Sequence, residues 1–213
     1  MKVLTALQEE FLKIFSATEL KNIFYLTGGT ALSAFYLQHR ISEDMDFFTD
    51  EERDVLRALP IINEIASKIK GEIEIKKSFI SYIEFFITRG DEIVRCDFAL
   101  DSPYRLGEKV LNKKYDIYID NLIDISCNKL SALYDRGEPK DFVDVFFIDR
   151  EVISFEKLIE KAKKKHVVLE NYWLSVSLAK VENIGILPRM RKEITIEELK
   201  NFFREKAIWL MKG

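Results

Sequence analysis

Leu26-Thr27-Gly28-Gly29-Thr30-Ala31-Leu32, followed by Asp44-Met45-Asp46-Phe47-Phe48 with thirteen residues between Thr30 and Asp44, is the stretch that decides how this chain is read. The apolar run Ile23–Leu26 predicts a short strand that feeds directly into the two glycines. A diglycine between a strand and a helix lets the backbone approach a ligand closely, and the N–H groups at the helix start form an anion site. Thr30 adds a hydroxyl donor where a triphosphate would lie. Asp44 and Asp46 are two residues apart on a predicted strand, so both carboxylates project from one face while Met45 and Phe47 point into apolar packing. Two like charges so placed repel unless a divalent cation sits between them. Mg²⁺ is held by a few carboxylates together with substrate phosphates. A pair of such ions about 3.5–4 Å apart can stabilise the attacking and leaving oxygens of an in-line displacement.

A third carboxylate is expected nearby. In Ile93-Val94-Arg95-Cys96-Asp97-Phe98-Ala99, alternation puts Asp97 on the face opposite Val94, Cys96 and Phe98, an acid in an otherwise apolar strand. It reads either as a metal ligand beside Asp44 and Asp46 or as an ion-paired or edge residue. Outward from this centre, the spacing predicts a first helix over residues 3–17 and a second helix with Leu32, Phe35, Tyr36 and His39 on one face. A third helix is marked by Val55, Leu56, Leu59, Ile62 and Ile65. Strands are predicted at 72–77, 80–88 and 92–100, with a short one near Asp116–Ile119. From Asn121 the period changes to 3.6, with helices at 121–135, 139–149, 155–165, 168–183 and 195–211. The expected class is α+β: a mixed-sheet core over residues 1–120, then a helical part over 121–213 that packs on it.

Composition removes several alternatives. Of 213 residues, 47% are hydrophobic and 32% charged, enough apolar material for a real core. The uncharged stretch Ile23–Leu37 is interrupted by two glycines and falls short of the roughly 20 residues that cross a bilayer. The N-terminus reads as an amphipathic helix start rather than a leader, so a cytoplasmic protein with no membrane partner is expected. Two isolated cysteines, Cys96 and Cys127, and two histidines, His39 and His166, leave no Cys/His zinc set and no Ser-His-Asp triad. Carboxylates, lysines and arginines must carry any chemistry. Residues 151–213 balance to +4 and residues 1–150 to −7, within the chain's net −3. The lysines at 161, 163, 164 and 165 with His166 read as a solvated helix end in preference to an RNA contact.

A second block lies in the helical part. On a helix starting near Asn121, Lys129, Ala132 and Arg136 share one stripe, so Lys129 offers a point charge and Arg136 a fork to a phosphate. Asp141 opens the next helix, where acids are favoured by the macrodipole. Asp144 sits one turn further on among Phe and Val. An ion pair of Lys129 with Asp141 or Asp144 is the alternative to a catalytic role.

The ordered set Gly28-Gly29-Thr30, Asp44-Met45-Asp46 and a strand-borne Asp97 resembles the DNA polymerase β-type nucleotidyltransferase superfamily. Within it, Gly-Gly-Thr-Ala-Leu and His39-Arg40-Ile41-Ser42-Glu43-Asp44-Met45-Asp46-Phe47-Phe48 are similar to the AbiEii/AbiGii toxin family, as are Lys129-Leu130-Ser131-Ala132-Leu133, Arg136 and Lys140-Asp141-Phe142-Val143-Asp144. The resemblance covers about residues 24–150. It implies a nucleotidyltransferase core that moves a nucleoside monophosphate from a nucleoside triphosphate, GTP among them, to an acceptor such as tRNA or another RNA. It further implies a toxin of a toxin–antitoxin or abortive-infection system, with a cognate antitoxin as partner. Carried over residue by residue, Gly28, Gly29 and Thr30 bind the phosphates, with Arg40, Ser42 and Arg136 also nucleotide-binding. Asp44 and Asp46 hold Mg²⁺ or Mn²⁺, with Asp97 as a third ligand, and Lys129 and Asp141 join the two acids as catalytic residues. The competing readings are a silent triphosphate-binding module that works through a protein partner, and transfer to a small molecule or a protein hydroxyl.

Overall fold

Thr5 starts the first helix, α1 (Ala6–Phe15). Its hydroxyl accepts the Gln8 N–H and the Gln8 side chain accepts the Thr5 N–H, which satisfies two donors the helix start leaves open. The computed structural model describes residues 3–102, 104–166 and 168–212. It divides into two units, Met1–Tyr36 with Ser42–Asn121, and Leu37–Ile41 with Leu122–Gly213.

In the first unit β1 (Tyr25–Thr27) leads into α2 (Gly28–Ala31), which continues as a π-helical turn over Leu32–Leu37. Then come β2 (Asp44–Thr49), α3 (Glu52–Ile69), β3 (Glu72–Phe79), β4 (Tyr82–Arg89), β5 (Glu92–Leu100), β6 (Val110–Asn112) and β7 (Ile117–Ile119). Among the described residues these strands form a seven-stranded sheet in the order β3-β4-β5-β2-β1-β7-β6. β2 pairs with β5 and β1 with β7 in parallel, and the other pairs are antiparallel, so the sheet is mixed. β2 lies inside the sheet and alternates strictly: Met45, Phe47 and Thr49 are buried and Asp44, Asp46 and Phe48 half-buried. The buried side meets α1 and α3 in an aromatic core, with rings 4.6 Å apart for Phe15–Phe47 and 4.9 Å for Phe47–Phe98. Each fully buried phenylalanine contributes on the order of 1.5–3 kcal/mol, and a one-residue slip of β2 would forfeit Phe47 while burying acids.

The structure is α+β, as expected, and differs from the sequence reading at β6, at the end of the second helix, and over 168–183, where an α-helix spans only Asn171–Ala179 and a 3-10 turn, Lys180–Asn183, follows it. β6 was not anticipated: it is three residues long and exposes Val110 and Leu111, so no alternation marks it. The second helix ends at Leu37, not at His39, because Gln38 takes a left-handed conformation (φ 53°) that stops it.

The second unit holds α4 (Leu122–Asp135), α5 (Pro139–Glu151), α6 (Phe155–Lys165), α7 (Asn171–Ala179) and α8 (Ile196–Lys212). Its core includes Phe142 against Phe203 at 4.9 Å and Phe146 against Phe202 at 5.2 Å. Leu37–Ile41 belongs to this unit through backbone bonds: the Ile41 N–H donates to the Arg189 carbonyl and the Arg191 N–H to the His39 carbonyl, both at 2.8 Å. Among the described residues no helix is long and apolar enough to cross a membrane.

Lys165 departs from the solvated cluster expected around it. Lys161, Lys163 and Lys164 are exposed, but Lys165 is buried and donates to Asp124 Oδ1 at 2.6 Å, with both side chains at 0% exposure. Lys165→Met is therefore expected to lower stability by about 3–5 kcal/mol, since Asp124 loses its lysine in a dry site. The double substitution Lys165→Met with Asp124→Leu is expected to recover most of that loss. Urea denaturation of the three proteins checks both statements.

Candidate active site

The residues singled out in the sequence fall in both units: Gly28, Gly29, Thr30, Ser42, Asp44, Asp46 and Asp97 in the first, Arg40, Lys129, Arg136 and Asp141 in the second.

In the first unit, Gly28 is the pivot. It has φ +70°, and a Cβ built on it would stand 1.9 Å from Asp46 Oδ2 and 2.7 Å from Asp46 Cγ. Only a bare Cα fits between the strand and the carboxylate, so the chain turns into α2 directly against Asp46. Thr30 is fully buried and its hydroxyl donates to the Asp44 carbonyl, so it braces the start of β2, and the hydroxyl expected to meet a triphosphate is spent inside the fold. The Ser42 carbonyl accepts from Gln8 Nε2 at 3.1 Å, which ties the approach to β2 to α1.

Asp46 is the register partner of Asp97 across the parallel β2–β5 pair, and Asp44 that of Arg95, so all four side chains share one face of the sheet. Asp97 accepts from Arg95 Nη2 at 2.9 Å and from Tyr82 Oη at 3.0 Å. Burial pushes its carboxyl above the usual range, and Arg95 and the Tyr82 hydrogen bond only partly offset this. The Tyr82 hydroxyl is itself pushed up to about 12 by burial and by Asp97. Among the described residues no three His, Cys, Asp or Glu side chains are grouped so as to hold one metal ion. Asp97 thus lies opposite Asp46 in register while its carboxylate is engaged by Arg95 and Tyr82. Asp44 and Asp46 fit a metal that takes its remaining ligands from phosphates and water, since the Gly28 cradle brings backbone directly against the Asp46 carboxylate.

In the second unit, Lys129 pairs with Asp144, not with Asp141. Asp144 is fully buried and accepts from Lys129 Nζ at 2.9 Å, Arg40 Nε at 2.7 Å, Arg40 Nη2 at 2.9 Å and His39 Nε2 at 2.7 Å. Burial opposes its ionisation, yet Lys129, Arg40 and the hydrogen bonds hold the carboxyl well below the usual range. His39 is pushed the other way. Burial lowers its pKa by more than Asp144 raises it, so it stays neutral and Nε2 carries the donated proton. Asp141 turns back on its own helix start, accepting the Glu138 N–H at 3.2 Å and a two-pronged Arg136 at 2.8 Å. Position explains the exchange: Asp141 is the third residue of α5, where a carboxylate caps the turn, and Asp144 lies one turn inside. His39 was read as a helix-face residue and as part of a family motif, and Asp144 as a rival partner of Lys129 and the end of a second motif, neither as a site residue. The adjacency of His39 to Arg40 and the apolar neighbours of Asp144 were the available signals.

Residues 10–208 match the family model described as nucleotidyl transferase AbiEii toxin, type IV TA system. The chain belongs to the AbiEii nucleotidyltransferase toxin family. It is 30% identical to an uncharacterized protein of Aquifex aeolicus (strain VF5), over 97% of each chain. Two solved structures share its fold. JHP933 from Helicobacter pylori is 19% identical with a TM-score of 0.63, over 97% of this chain and 89% of that one. MenT4, nucleotidyltransferase toxin Rv2826c from Mycobacterium tuberculosis H37Rv, is 14% identical with a TM-score of 0.61, over 97% and 82%. AbiEii membership makes the protein a nucleotidyltransferase.

Two outcomes follow from this geometry. Gly28→Ala should lose at least about 1–2 kcal/mol from the left-handed backbone alone, plus the clash with Asp46, as read by thermal denaturation. For His39 the folded pKa lies below the ordinary value near 6.5, so the unfolded chain binds the extra proton and stability falls as pH drops through about 6.5. Asp144, depressed in the fold, starts to cost stability only near and below about pH 4. Between pH 7 and pH 5, His39→Gln should therefore flatten part of the pH dependence of unfolding. An unchanged slope would show that His39 is not held neutral.

Proposed function

We propose that this nucleotidyltransferase transfers a nucleoside monophosphate from a Mg²⁺-bound nucleoside triphosphate to a hydroxyl of RNA, tRNA being the acceptor class the family resemblance brings forward. The acceptor oxygen forms a bond to the α-phosphorus, the α–β phosphoanhydride bond breaks, and pyrophosphate and the hydroxyl proton are released. The observation that carries this reading is the Gly28 backbone packed against the Asp46 carboxylate with Asp44 on the same face of β2. It supports a polyphosphate lying on the main-chain N–H groups of Gly28, Gly29 and Thr30, with Asp44 and Asp46 as carboxylate ligands. Mg²⁺ or Mn²⁺ held there would neutralise charge on the phosphates and polarise them. Asp97 in this reading stays with Arg95 and limits the repulsion among the three acids.

Lys129 and Arg40 carry the proposed cationic role in the second unit, and Asp144 orients both. Arg136 and Asp141 hold the start of α5. Ser42 keeps a supporting position before β2. GTP is the first triphosphate to test. A cytoplasmic site of action, and a cognate antitoxin that restrains the activity, complete the reading.

The test uses purified protein, Mg²⁺, each triphosphate labelled at the α-phosphate, and total tRNA. Label is expected to move to RNA, to stop on chelation of the metal, and to fall roughly a hundredfold or more in Asp46→Ala with the circular dichroism spectrum unchanged. Transfer that persists when Asp44 and Asp46 are both replaced would discard the mechanism.

A further inference from the structure

β5 runs between β4 and β2, and its register sets Arg95 beside Asp44, with Asp97 two residues along between Asp46 on one side and Glu84 on the other. Alternation places Arg95 and Asp97 on the face of Asp44 and Asp46, while Val94, Cys96 and Phe98 are fully buried on the opposite face and fix the strand. Arg95 Nη2 donates to Asp97 Oδ2 at 2.9 Å, and Arg95 Nε lies 3.2 Å from Glu84 Oε1. The far ends of this set are held as well: Lys77 meets the other Glu84 oxygen at 2.8 Å, and the Tyr82 hydroxyl donates to Asp97 at 3.0 Å. A single guanidinium thus lies against two carboxylates and next in register to a third. Its side chain nevertheless keeps 35% exposure, against 13% for Asp97 and 10% for Glu84, so the cation is the member of the cluster that faces outward.

We propose that Arg95 takes the place of a second divalent cation: the protein works with one ion, at Asp44 and Asp46, and the Arg95 guanidinium supplies the other positive charge. The inference rests on the nucleotidyl-transfer reading above. An in-line displacement is helped by positive charge near both the attacking and the leaving oxygen, and two-ion sites supply it from ions about 3.5–4 Å apart. Asp97 is the carboxylate placed to complete such a pair, since it faces Asp46 across the parallel strands. Its two oxygens are taken by Arg95 and Tyr82 instead. A guanidinium stays charged at every working pH and carries its N–H donors in one rigid plane, so Arg95 can hold Asp97 and still present donors to an oxygen that gains negative charge. Its exposed side leaves it within reach of an acceptor.

The experiment counts Mn²⁺ on the full chain in the presence of a saturating α,β-methylene triphosphate, by equilibrium dialysis and by electron paramagnetic resonance. The unmodified protein is expected to bind one Mn²⁺ per bound triphosphate and to show the spectrum of an isolated ion. Arg95→Gln removes the charge and frees Asp97 and Glu84. It should bind two ions per triphosphate, with the spin-coupled spectrum of a close pair. Arg95→Lys, which keeps a cation at the same place, should remain at one. A merely structural role for Arg95 moves none of these counts. Should Arg95→Gln not fold, Arg95→Gln with Glu84→Gln, which carries one acid fewer on that face, takes its place. Two ions on the unmodified protein, or a single ion on the glutamine variant, overturns the inference while the nucleotide reading stands. An unmodified protein that binds neither Mn²⁺ nor the triphosphate overturns both.

Discussion

A bare Cα pressed against a carboxylate is the constraint on which the first unit depends. Gly28 is needed twice, for its positive φ and because any side chain would occupy the place of Asp46 Oδ2. Asp46 in turn cannot yield. It sits on an internal strand between β1 and β5, and its neighbours Met45 and Phe47 are locked into the core under α1 and α3. The apolar packing on one side of the sheet therefore sets the position of the acids on the other. Arg95 makes this tolerable: its guanidinium reaches Asp97 at 2.9 Å and Glu84 at 3.2 Å, and Lys77 covers the other Glu84 oxygen at 2.8 Å. The face carries several carboxylates, but their repulsion is distributed over two cations and a tyrosine hydroxyl.

The second unit solves a different electrostatic problem. A fully buried carboxylate, Asp144, costs several kcal/mol in desolvation unless it is met by hydrogen bonds and charge. Here Arg40 grips it with two nitrogens, Lys129 adds a third donor and neutral His39 a fourth. A core of this size could be held together more cheaply by apolar side chains, since replacing buried ion clusters with hydrophobic groups is often neutral or stabilising. Two cations and an ionised acid held rigidly, beside a histidine kept neutral, form an arrangement suited to fixing charge in place rather than to maximising stability.

What the sequence made legible follows from periodicity. β2 could be read because Asp-Met-Asp-Phe alternates without exception, and β4 and β5 because their apolar residues recur at period two. Helices α3 and α6 showed their buried stripes for the same reason at 3.6. The diglycine was visible as composition, but its contact with Asp46 depends on how β1 pairs with β2, which no local pattern encodes. The partner of Lys129 was open between two aspartates three residues apart. Spacing alone does not separate a cap from an internal ligand when both lie on one helix, and the decision rests on where α5 starts. Lys165 was hidden for the converse reason: within a run of four basic residues nothing local distinguishes the one that turns inward to Asp124. The buried contacts of His39 and Asp120 could not be read because their partners, Asp144 and Thr27 respectively, lie about a hundred positions away in the chain.

The buried polar set around β1 is the departure from an apolar core that most needs a reason. Tyr25 is fully buried, its hydroxyl donates to Asp101, and burial with that acid raises its pKa far above the usual tyrosine value. Tyr36 is pushed up to about 12, chiefly by burial and also by Asp120. Such a network is stabilising only when every member is satisfied, and a half-satisfied one is worse than leucines in the same space. Its members come from β1, the end of the π-helical turn that continues α2, the residue after β7 and the segment between β5 and β6, so it forms only when the sheet is complete. Local rules are broken at some cost where a structure serves something besides its own stability. The network ends on Thr27, one residue before Gly28, which makes the geometry of the diglycine turn a property of the finished sheet and not of its local sequence.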